Sequence, residues 1–179
     1  IVAVAMSLGL AEAQSLSKST TWHWEGGTIV VDSPARPEGQ EHVLGLALEP
    51  MERVRVAFVG LGMRGPWAVM RFCHIPGVEI VALCDYDRQR AEGCQQFLRN
   101  AGLMPADIYH GAKGYEELCQ RDDIDLVYIV TPWLLHTPMA VYAMECGKHV
   151  AVEVPAAFTL EELWQIIDTS ERTRKHCMM

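Results

Sequence analysis

The fold of this chain is decided by one stretch of sequence, Val54-Arg55-Val56-Ala57-Phe58-Val59-Gly60-Leu61-Gly62-Met63-Arg64-Gly65-Pro66. A mostly apolar run, typical of a buried strand, is followed by glycines in the spacing G-x-G-x-x-G and by a proline that suits the first turn of a helix. Strand, glycine loop and helix in this order predict a dinucleotide-binding βαβ unit. We expect Gly60 to allow the tight turn, Gly62 to let a pyrophosphate approach the backbone, and Gly65 to let the helix pack closely. The alternative is a tight glycine turn that binds no ligand.

An acidic residue is expected about 20 residues after such a loop, at the end of the second strand. Asp85 occupies this position, directly after the apolar run 78–84. We expect its carboxylate to accept hydrogen bonds from the adenine ribose and to repel a 2′-phosphate, which favours NAD over NADP. Arg88 and Arg90 weaken this preference unless they face solvent. The alternative for Asp85 is an ordinary acid at the end of a strand.

From Val54 onward, predicted strands alternate with predicted helices, which indicates an α/β fold with a doubly wound parallel (Rossmann) sheet of order 3-2-1-4-5-6. Further strands are predicted at 108–109, 125–130, 149–153 and from Cys177. Helices are predicted at 87–101 and 115–119, from an N-cap at Thr137 to about Cys146, and from a capping box at Thr159. We expect a second, α+β substrate domain that is missing from this chain.

The composition of the 179 residues fits a globular domain, with 50% hydrophobic and 21% charged residues. A net charge of −8 argues against nucleic acid or an anionic membrane as a partner. No apolar run reaches the roughly 18 residues that a membrane span needs. A homo-oligomer is compatible with the sequence.

The six cysteines form no C-x-x-C pair, and no spacing of cysteine and histidine is typical of a zinc site. We therefore predict no metal centre. We expect free thiols that pack as small hydrophobic groups, because an apolar parallel sheet does not need a disulfide framework.

The first 50 residues lie outside the alternating pattern. Residues 1–10 are mostly apolar and precede Ala11-Glu12-Ala13, which together resemble a signal-peptide core and its cleavage site. We expect 1–13 to be the remnant of an export signal of a periplasmic or cell-surface bacterial protein. The alternative is an apolar segment that packs against the domain.

Residues 14–50 are expected to form an extended arm, because they are rich in proline, glycine and polar residues. One short strand is predicted at 28–31, and Trp22 and Trp24 suggest that the arm docks, either on this domain or on a partner subunit. The alternative is a loosely ordered leader. Residues 51–179 then form the NAD-binding domain, truncated at its C-terminal end.

Ligands of a parallel sheet bind beyond the carboxyl ends of its strands. Four segments are predicted to meet there, namely 60–65, Asp85, 131–136 and 153–155. In the third segment, Trp133 is expected to lie against a cofactor. Three roles are open for His136: contact with the cofactor, catalytic base, or hydrogen bonding to backbone.

With these residues, 54–179 resemble the Gfo/Idh/MocA family of nicotinamide-dependent sugar enzymes. In that family the fifth strand usually ends in Glu-Lys-Pro, and the lysine acts at the substrate hydroxyl. Here the tripeptide is Glu153-Val154-Pro155. Valine cannot transfer a proton, and this departure disfavours ordinary dehydrogenase chemistry.

The chain resembles one branch more closely, glycoside hydrolase family 109, the NAD-dependent α-N-acetylgalactosaminidases. The resemblance rests on 60–66, on 131–133 with His136, on 147–157 and on 177–178. Carried over by position, it implies NAD contacts at Met63, Arg64, Asp85, Trp133, Leu134, Leu135, His136, Glu153 and Val154. The glycine loop and the end of the fourth strand add Gly60, Gly62, Gly65 and Thr131 to the candidate cofactor site. The resemblance also implies that the catalytic residues lie after Met179.

The same resemblance implies that a glycoside substrate is cleaved by oxidation, elimination, addition and reduction, with NAD borrowing a hydride from the sugar and returning it. Two alternatives stay open. One is a sugar oxidoreductase of the Gfo/Idh/MocA type, and the other is a non-catalytic NAD-binding module.

Overall fold

The computed structural model describes residues 22–31 and 33–179. The predicted signal remnant at 1–13 lies outside the described residues, as does the beginning of the predicted arm. None of the described helices is long and apolar enough to cross a bilayer.

Eight strands are described: β1 (Trp22–Glu25), β2 (Thr28–Val31), β3 (Val54–Val59), β4 (Val78–Asp85), β5 (Asp107–His110), β6 (Leu126–Ile129), β7 (His149–Val152) and β8 (Cys177–Met178). The last six form one parallel sheet in the order β5-β4-β3-β6-β7-β8. Counted from β3, this is the predicted order 3-2-1-4-5-6. The strand order reverses between β3 and β6, which is where doubly wound sheets bind their ligands.

Five helices cover the two faces of this sheet: α1 (Gly65–Phe72), α2 (Arg88–Asn100), α3 (Gly114–Cys119), α4 (His136–Glu145) and α5 (Leu160–Thr173). The core on the α1 and α2 face includes Phe58 and Leu83, and the core on the opposite face includes Ile129 and Met144. All six cysteines are free, as predicted. Burial raises the pKa of the Cys84 thiol to about 12, so this thiol stays protonated at neutral pH.

The helix ends confirm most of the local predictions. The Asp87 side chain caps α2 by accepting from the Gln89 N–H, and Thr159 and Glu162 form the capping box of α5. The prediction for α4 was wrong by two residues, since its N-cap is Leu135 rather than Thr137 and the helix begins at His136, after a short 3₁₀ turn. The Thr137 hydroxyl is no N-cap and donates instead to the Ala156 carbonyl, at 3.2 Å.

The arm differs from its prediction in two ways. It contains a hairpin of two strands, because Gly26 and Gly27 adopt positive φ values and form the turn between β1 and β2. The two tryptophans of the hairpin are exposed. The arm reaches the domain further along the chain, where Arg36 forms an ion pair with Glu171 of α5.

Candidate cofactor site

Four neighbouring strands, β4, β3, β6 and β7, end at one edge of the sheet, which we call the carboxyl edge. Backbone hydrogen bonds connect the segments beyond the strands to the neighbouring strands. The donors are the N–H groups of Gly60, Val130 and Glu153, and the acceptors are the carbonyl oxygens of Cys84, Val59 and Ile129, respectively. The structure therefore brings together the four segments that were predicted to meet.

The glycine loop, residues 60–65, packs tightly at two of its three glycines. Gly60 has a φ of +96°, and a Cβ there would lie 2.6 Å from the Val130 carbonyl. A Cβ at Gly65 would overlap the Gly60 carbonyl oxygen. These two glycines are therefore required by the close approach of the loop to the β6 segment and to α1.

Gly62 is different, because no contact among the described residues requires a glycine there. Its φ is not positive, and among these residues a Cβ would meet only the Nη1 atom of Arg90, at 3.5 Å. The missing side chain leaves open space directly before the N-terminus of α1. This is the space in which a pyrophosphate would meet the free N–H groups of the first helical turn.

Asp85 lies at the end of β4 and is buried. Its Oδ2 atom accepts from the Leu61 N–H at 2.6 Å, and its Oδ1 atom accepts from the Asp87 N–H at 2.9 Å. The carboxylate thus fixes the glycine loop relative to β4. Each carboxylate oxygen can accept a second hydrogen bond, so capacity for ribose hydroxyls is left.

Thr131 follows β6 at the point where the strand order reverses. Its buried Oγ1 atom has no hydrogen-bond partner among the described residues. Buried polar atoms are nearly always paired in folded proteins, and an unpaired one costs about 1–3 kcal/mol. An unpaired hydroxyl at this place fits a site that a polar ligand completes.

The next residues form an apolar lip beside Thr131. Trp133, Leu134 and Leu135 make up the 3₁₀ turn, and all three side chains are exposed. The Trp133 ring lies 5.8 Å from the Phe158 ring, between centroids. In the glycine loop, Met63 is 90% exposed, and its neighbour Arg64 is exposed as well.

His136 is only 1% exposed. Its Nδ1 atom lies 2.7 Å from the Pro155 carbonyl oxygen, and its Nε2 atom lies 2.8 Å from the Thr131 carbonyl oxygen. Of the three roles left open, the structure shows hydrogen bonding to backbone. His136 ties the loop after β6 to the loop after β7, and a direct contact with a cofactor stays a prediction.

The β7 segment places Glu153 and Val154 at the same edge. The Tyr128 hydroxyl donates to Oε1 of Glu153 at 3.2 Å, and burial together with this carboxylate raises the pKa of Tyr128. Val154 is 58% exposed. Tyr128 is not among the site residues predicted from the sequence, although a tyrosine in an apolar strand needs a partner for its hydroxyl and is therefore a usable signal.

These residues fit a bound dinucleotide. The room at Gly62, the unpaired Thr131 hydroxyl and the remaining acceptor capacity of Asp85 all lie at the carboxyl edge, at the place expected for the ligand of a doubly wound sheet. The roles of the individual residues toward the cofactor stay predictions.

Comparison with known proteins connects this geometry to named relatives. A protein of Phocaeicola vulgatus named glycosyl hydrolase family 109 protein 3 is 63% identical over 178 residues, which are 99% of this chain and 32% of the relative. A glycosyl hydrolase family 109 protein of Porphyromonas gingivalis is 52% identical, over 98% of this chain and 37% of the relative. The chain thus spans about a third of the length of the curated relatives that it matches.

A solved structure shows the same fold. Myo-inositol dehydrogenase from Lactobacillus casei, in complex with NAD(H) and myo-inositol, is 30% identical with a TM-score of 0.58, over 66% of this chain and 33% of that one. The family model described as an oxidoreductase family with an NAD-binding Rossmann fold matches residues 54–179. Since this match covers more than half of the sequence, the chain belongs to the Gfo/Idh/MocA oxidoreductase family, and its matched part is the NAD-binding Rossmann fold of that family.

Proposed function

We propose that this chain is the cofactor-binding part of an NAD-dependent glycosidase that removes terminal α-N-acetylgalactosamine. Two findings support the proposal: the match to an NAD-binding family and the high identity to relatives named glycosyl hydrolase family 109. One observation carries it, namely the residue that stands at position 154.

A dehydrogenase needs a group that takes the hydroxyl proton as hydride leaves the sugar. Val154 stands where the family usually has a lysine, and its side chain is exposed at the carboxyl edge without any proton-transfer group. The neighbouring titratable side chains are engaged elsewhere, since Glu153 accepts from Tyr128 and both His136 nitrogens face carbonyl oxygens. This set of residues suits binding and orientation better than proton transfer.

When bound, NAD would supply a group that accepts a hydride and later returns it. The chain's own residues would hold it. The N–H groups at the start of α1 would bind the pyrophosphate, Asp85 would bind the ribose, and the apolar lip around Trp133 would form one wall of the site. A reaction that returns its hydride consumes no external oxidant. It also differs from glycoside hydrolysis by two carboxylates.

A sugar oxidoreductase is the second candidate, because the likeness to myo-inositol dehydrogenase favours it. The two functions differ in what happens to the hydride. An oxidoreductase releases one NADH for each sugar oxidised, whereas the proposed glycosidase accumulates none.

The test is an incubation of the full-length protein with an aryl α-N-acetylgalactosaminide in heavy water. We expect release of the aryl alcohol, deuterium at C2 of the product sugar by proton NMR, and no net formation of NADH. A product that keeps its hydrogen at C2, or one NADH formed per sugar, contradicts the glycosidase and supports the oxidoreductase. The 179-residue chain serves as a control, for which we expect NAD+ binding without turnover.

A further inference from the structure

Tyr128 lies in β6, and its ring packs against two phenylalanines in the core. It stacks on Phe58 of the neighbouring strand, with the ring centroids 5.4 Å apart and the planes 23° apart. It also makes a T-shaped contact with Phe72 of α1, again with a centroid distance of 5.4 Å. Because Phe58 and Phe72 pack against each other as well, at 5.2 Å, the position of the Tyr128 ring is fixed by the core.

The hydroxyl group of this fixed ring reaches the carboxyl edge and donates to Oε1 of Glu153 at 3.2 Å. Tyr128 is the register partner of Ala151 in β7, and Glu153 lies two residues further along the chain, on the same face of the sheet. The Glu153 N–H donates to the Ile129 carbonyl at 3.0 Å. Residues of β6 therefore hold both the main chain and the carboxylate of Glu153.

The Glu153 carboxylate has unused capacity to bind a ligand. It is half-buried, and the contact with Tyr128 is the only hydrogen bond of its side chain within residues 22–31 and 33–179. A carboxylate offers about four acceptor positions, so most of them are left for hydroxyl groups of a ligand. Its neighbour Val154 is exposed, and this opens the place to solvent.

Glu153 and Asp85 lie on opposite sides of the point where the strand order reverses, since Asp85 ends β4 and Glu153 follows β7. A dinucleotide binds across this point. With its adenine ribose at Asp85 and its pyrophosphate at Gly62, the second ribose would extend toward Glu153. A carboxylate in a fixed orientation suits the two hydroxyl groups of a ribose.

We propose that Tyr128 is a positioning residue of the cofactor site, whose hydroxyl orients the Glu153 carboxylate toward the second ribose of the dinucleotide. Burial, together with the charge of Glu153, raises the pKa of Tyr128, so the hydroxyl keeps its proton and donates at neutral pH. The inference rests on the dinucleotide site of the proposed function, but not on the glycosidase chemistry.

The test removes only the hydroxyl group, in Tyr128→Phe, and measures the affinities of the 179-residue chain for NAD+ and for ADP by calorimetry. We expect NAD+ to bind about tenfold more weakly, whereas ADP should bind within about twofold of the wild type, because ADP lacks the second ribose. The matched control is Tyr142→Phe, which loses a hydrogen bond from Gln120, also of 3.2 Å, on the opposite face of the sheet. This control should change neither affinity.

A double-mutant cycle separates positioning from a general effect on structure. In Glu153→Ala the carboxylate is gone, so the further addition of Tyr128→Phe should lower the NAD+ affinity by less than about twofold. A tyrosine with a merely structural role would give the same loss with and without Glu153. Urea unfolding of each variant checks that the fold is kept, and a phenylalanine at position 128 preserves the packing of the three rings.

Four results would overturn the inference. They are an unchanged NAD+ affinity in Tyr128→Phe, an equal loss for NAD+ and ADP, an undiminished loss in the Glu153→Ala background, and a wild-type chain that does not bind NAD+. The last result would remove the dinucleotide site as well. A chain that binds NAD+ as expected while the full-length protein fails the glycosidase test would contradict the proposed function alone.

Discussion

Charged and polar side chains cluster at the carboxyl edge of the sheet and at the contact between the arm and α5. The two regions differ in whether these groups have hydrogen-bond partners. At the arm, the Glu171 carboxylate is 3% exposed and fully engaged. It accepts from the Arg36 Nε and Nη2 atoms at 2.8 and 2.9 Å, and from the Gln40 amide at 3.1 Å. At the carboxyl edge, the Thr131 hydroxyl has no partner among the described residues, and Gly62 leaves open space.

This difference separates a structural contact from a ligand site. A polar network whose members all find partners holds two segments together and has nothing left to bind with. A cleft does run along the arm beside Trp164, but Arg36 in it pairs with Glu171, and Asp168 accepts a hydrogen bond from Gln40. At the carboxyl edge, some hydrogen-bond acceptors and donors have no partner among the described residues and some space is unfilled. These features lie where the strand order reverses.

The largest effect is expected from Gly65→Val, because its Cβ would overlap the Gly60 carbonyl oxygen in a tightly packed loop. We predict a loss of about 3 kcal/mol in the free energy of unfolding, measured by urea denaturation. The matched control is Gly93→Val, at an exposed position of α2 where a Cβ meets nothing within 4 Å. Similar stabilities for the two variants would show that the loop can move to accept a Cβ at Gly65.

Gly62→Val should separate binding from folding. A Cβ at this position makes only an ordinary contact with Arg90, and a valine side chain would fill the space proposed for the pyrophosphate. We predict NAD+ affinity at least about hundredfold lower, or about 2.7 kcal/mol, with an unfolding midpoint close to that of the wild type. Wild-type NAD+ affinity in this variant would mean that the phosphates lie elsewhere.

Asp85→Ala should weaken NAD+ binding by about ten- to hundredfold, since a charged hydrogen bond to the ribose contributes about 1.5–3 kcal/mol. The substitution should also lower the ratio of the NAD+ affinity to the NADP+ affinity. Asp87→Ala is the control, because Asp87 caps α2 by accepting from Gln89 and its loss acts mainly on helix stability. An unchanged ratio of the two affinities in Asp85→Ala would show that this carboxylate serves only to fix the loop.

The smallest effect is expected at the arm. Hydrogen bonds from Arg36 hold the pKa of Glu171 below its ordinary range, so the stabilisation is present at neutral pH and is lost as the pH falls through the folded-state pKa. We predict that unfolding free energies between about pH 5 and about pH 3 fall more steeply in the wild type than in Glu171→Gln. Parallel curves would mean that the contact contributes nothing to stability, while NAD+ binding at neutral pH should be the same in both proteins.

The sheet and the composition of its carboxyl edge could be predicted from the sequence, because both depend on local patterns. Apolar runs that alternate with helical patterns predict a parallel sheet, and the glycine spacing together with Asp85 predicts which end of the sheet binds the ligand. The hairpin of the arm was only half predicted. The pair Gly26-Gly27 is a turn signal, and the strand before it is short and flanked by polar residues.

The details that could not be predicted depend on contacts between segments far apart in the sequence. His136 meets the carbonyl of Pro155, and Arg36 meets Glu171, only after the sheet has formed. The direction of the Arg90 side chain also cannot be predicted from its position, since Arg88 on the same helix turn pairs with Glu92 of its own helix instead. Tertiary packing decides which partner a side chain at the start of a helix contacts, and a periodic sequence pattern does not encode this packing.

The most direct test of the central claim, that the carboxyl edge is the NAD site, is a titration of the ¹⁵N-labelled chain with NAD+ followed by amide NMR shifts. We predict that the largest shifts occur at Gly62, Met63, Asp85 and Thr131. Amides of the arm–α5 contact, such as those of Arg36 and Glu171, should stay in place. Shifts concentrated at the arm, or none at the glycine loop while NAD+ binds, would show that the carboxyl edge is not the NAD site.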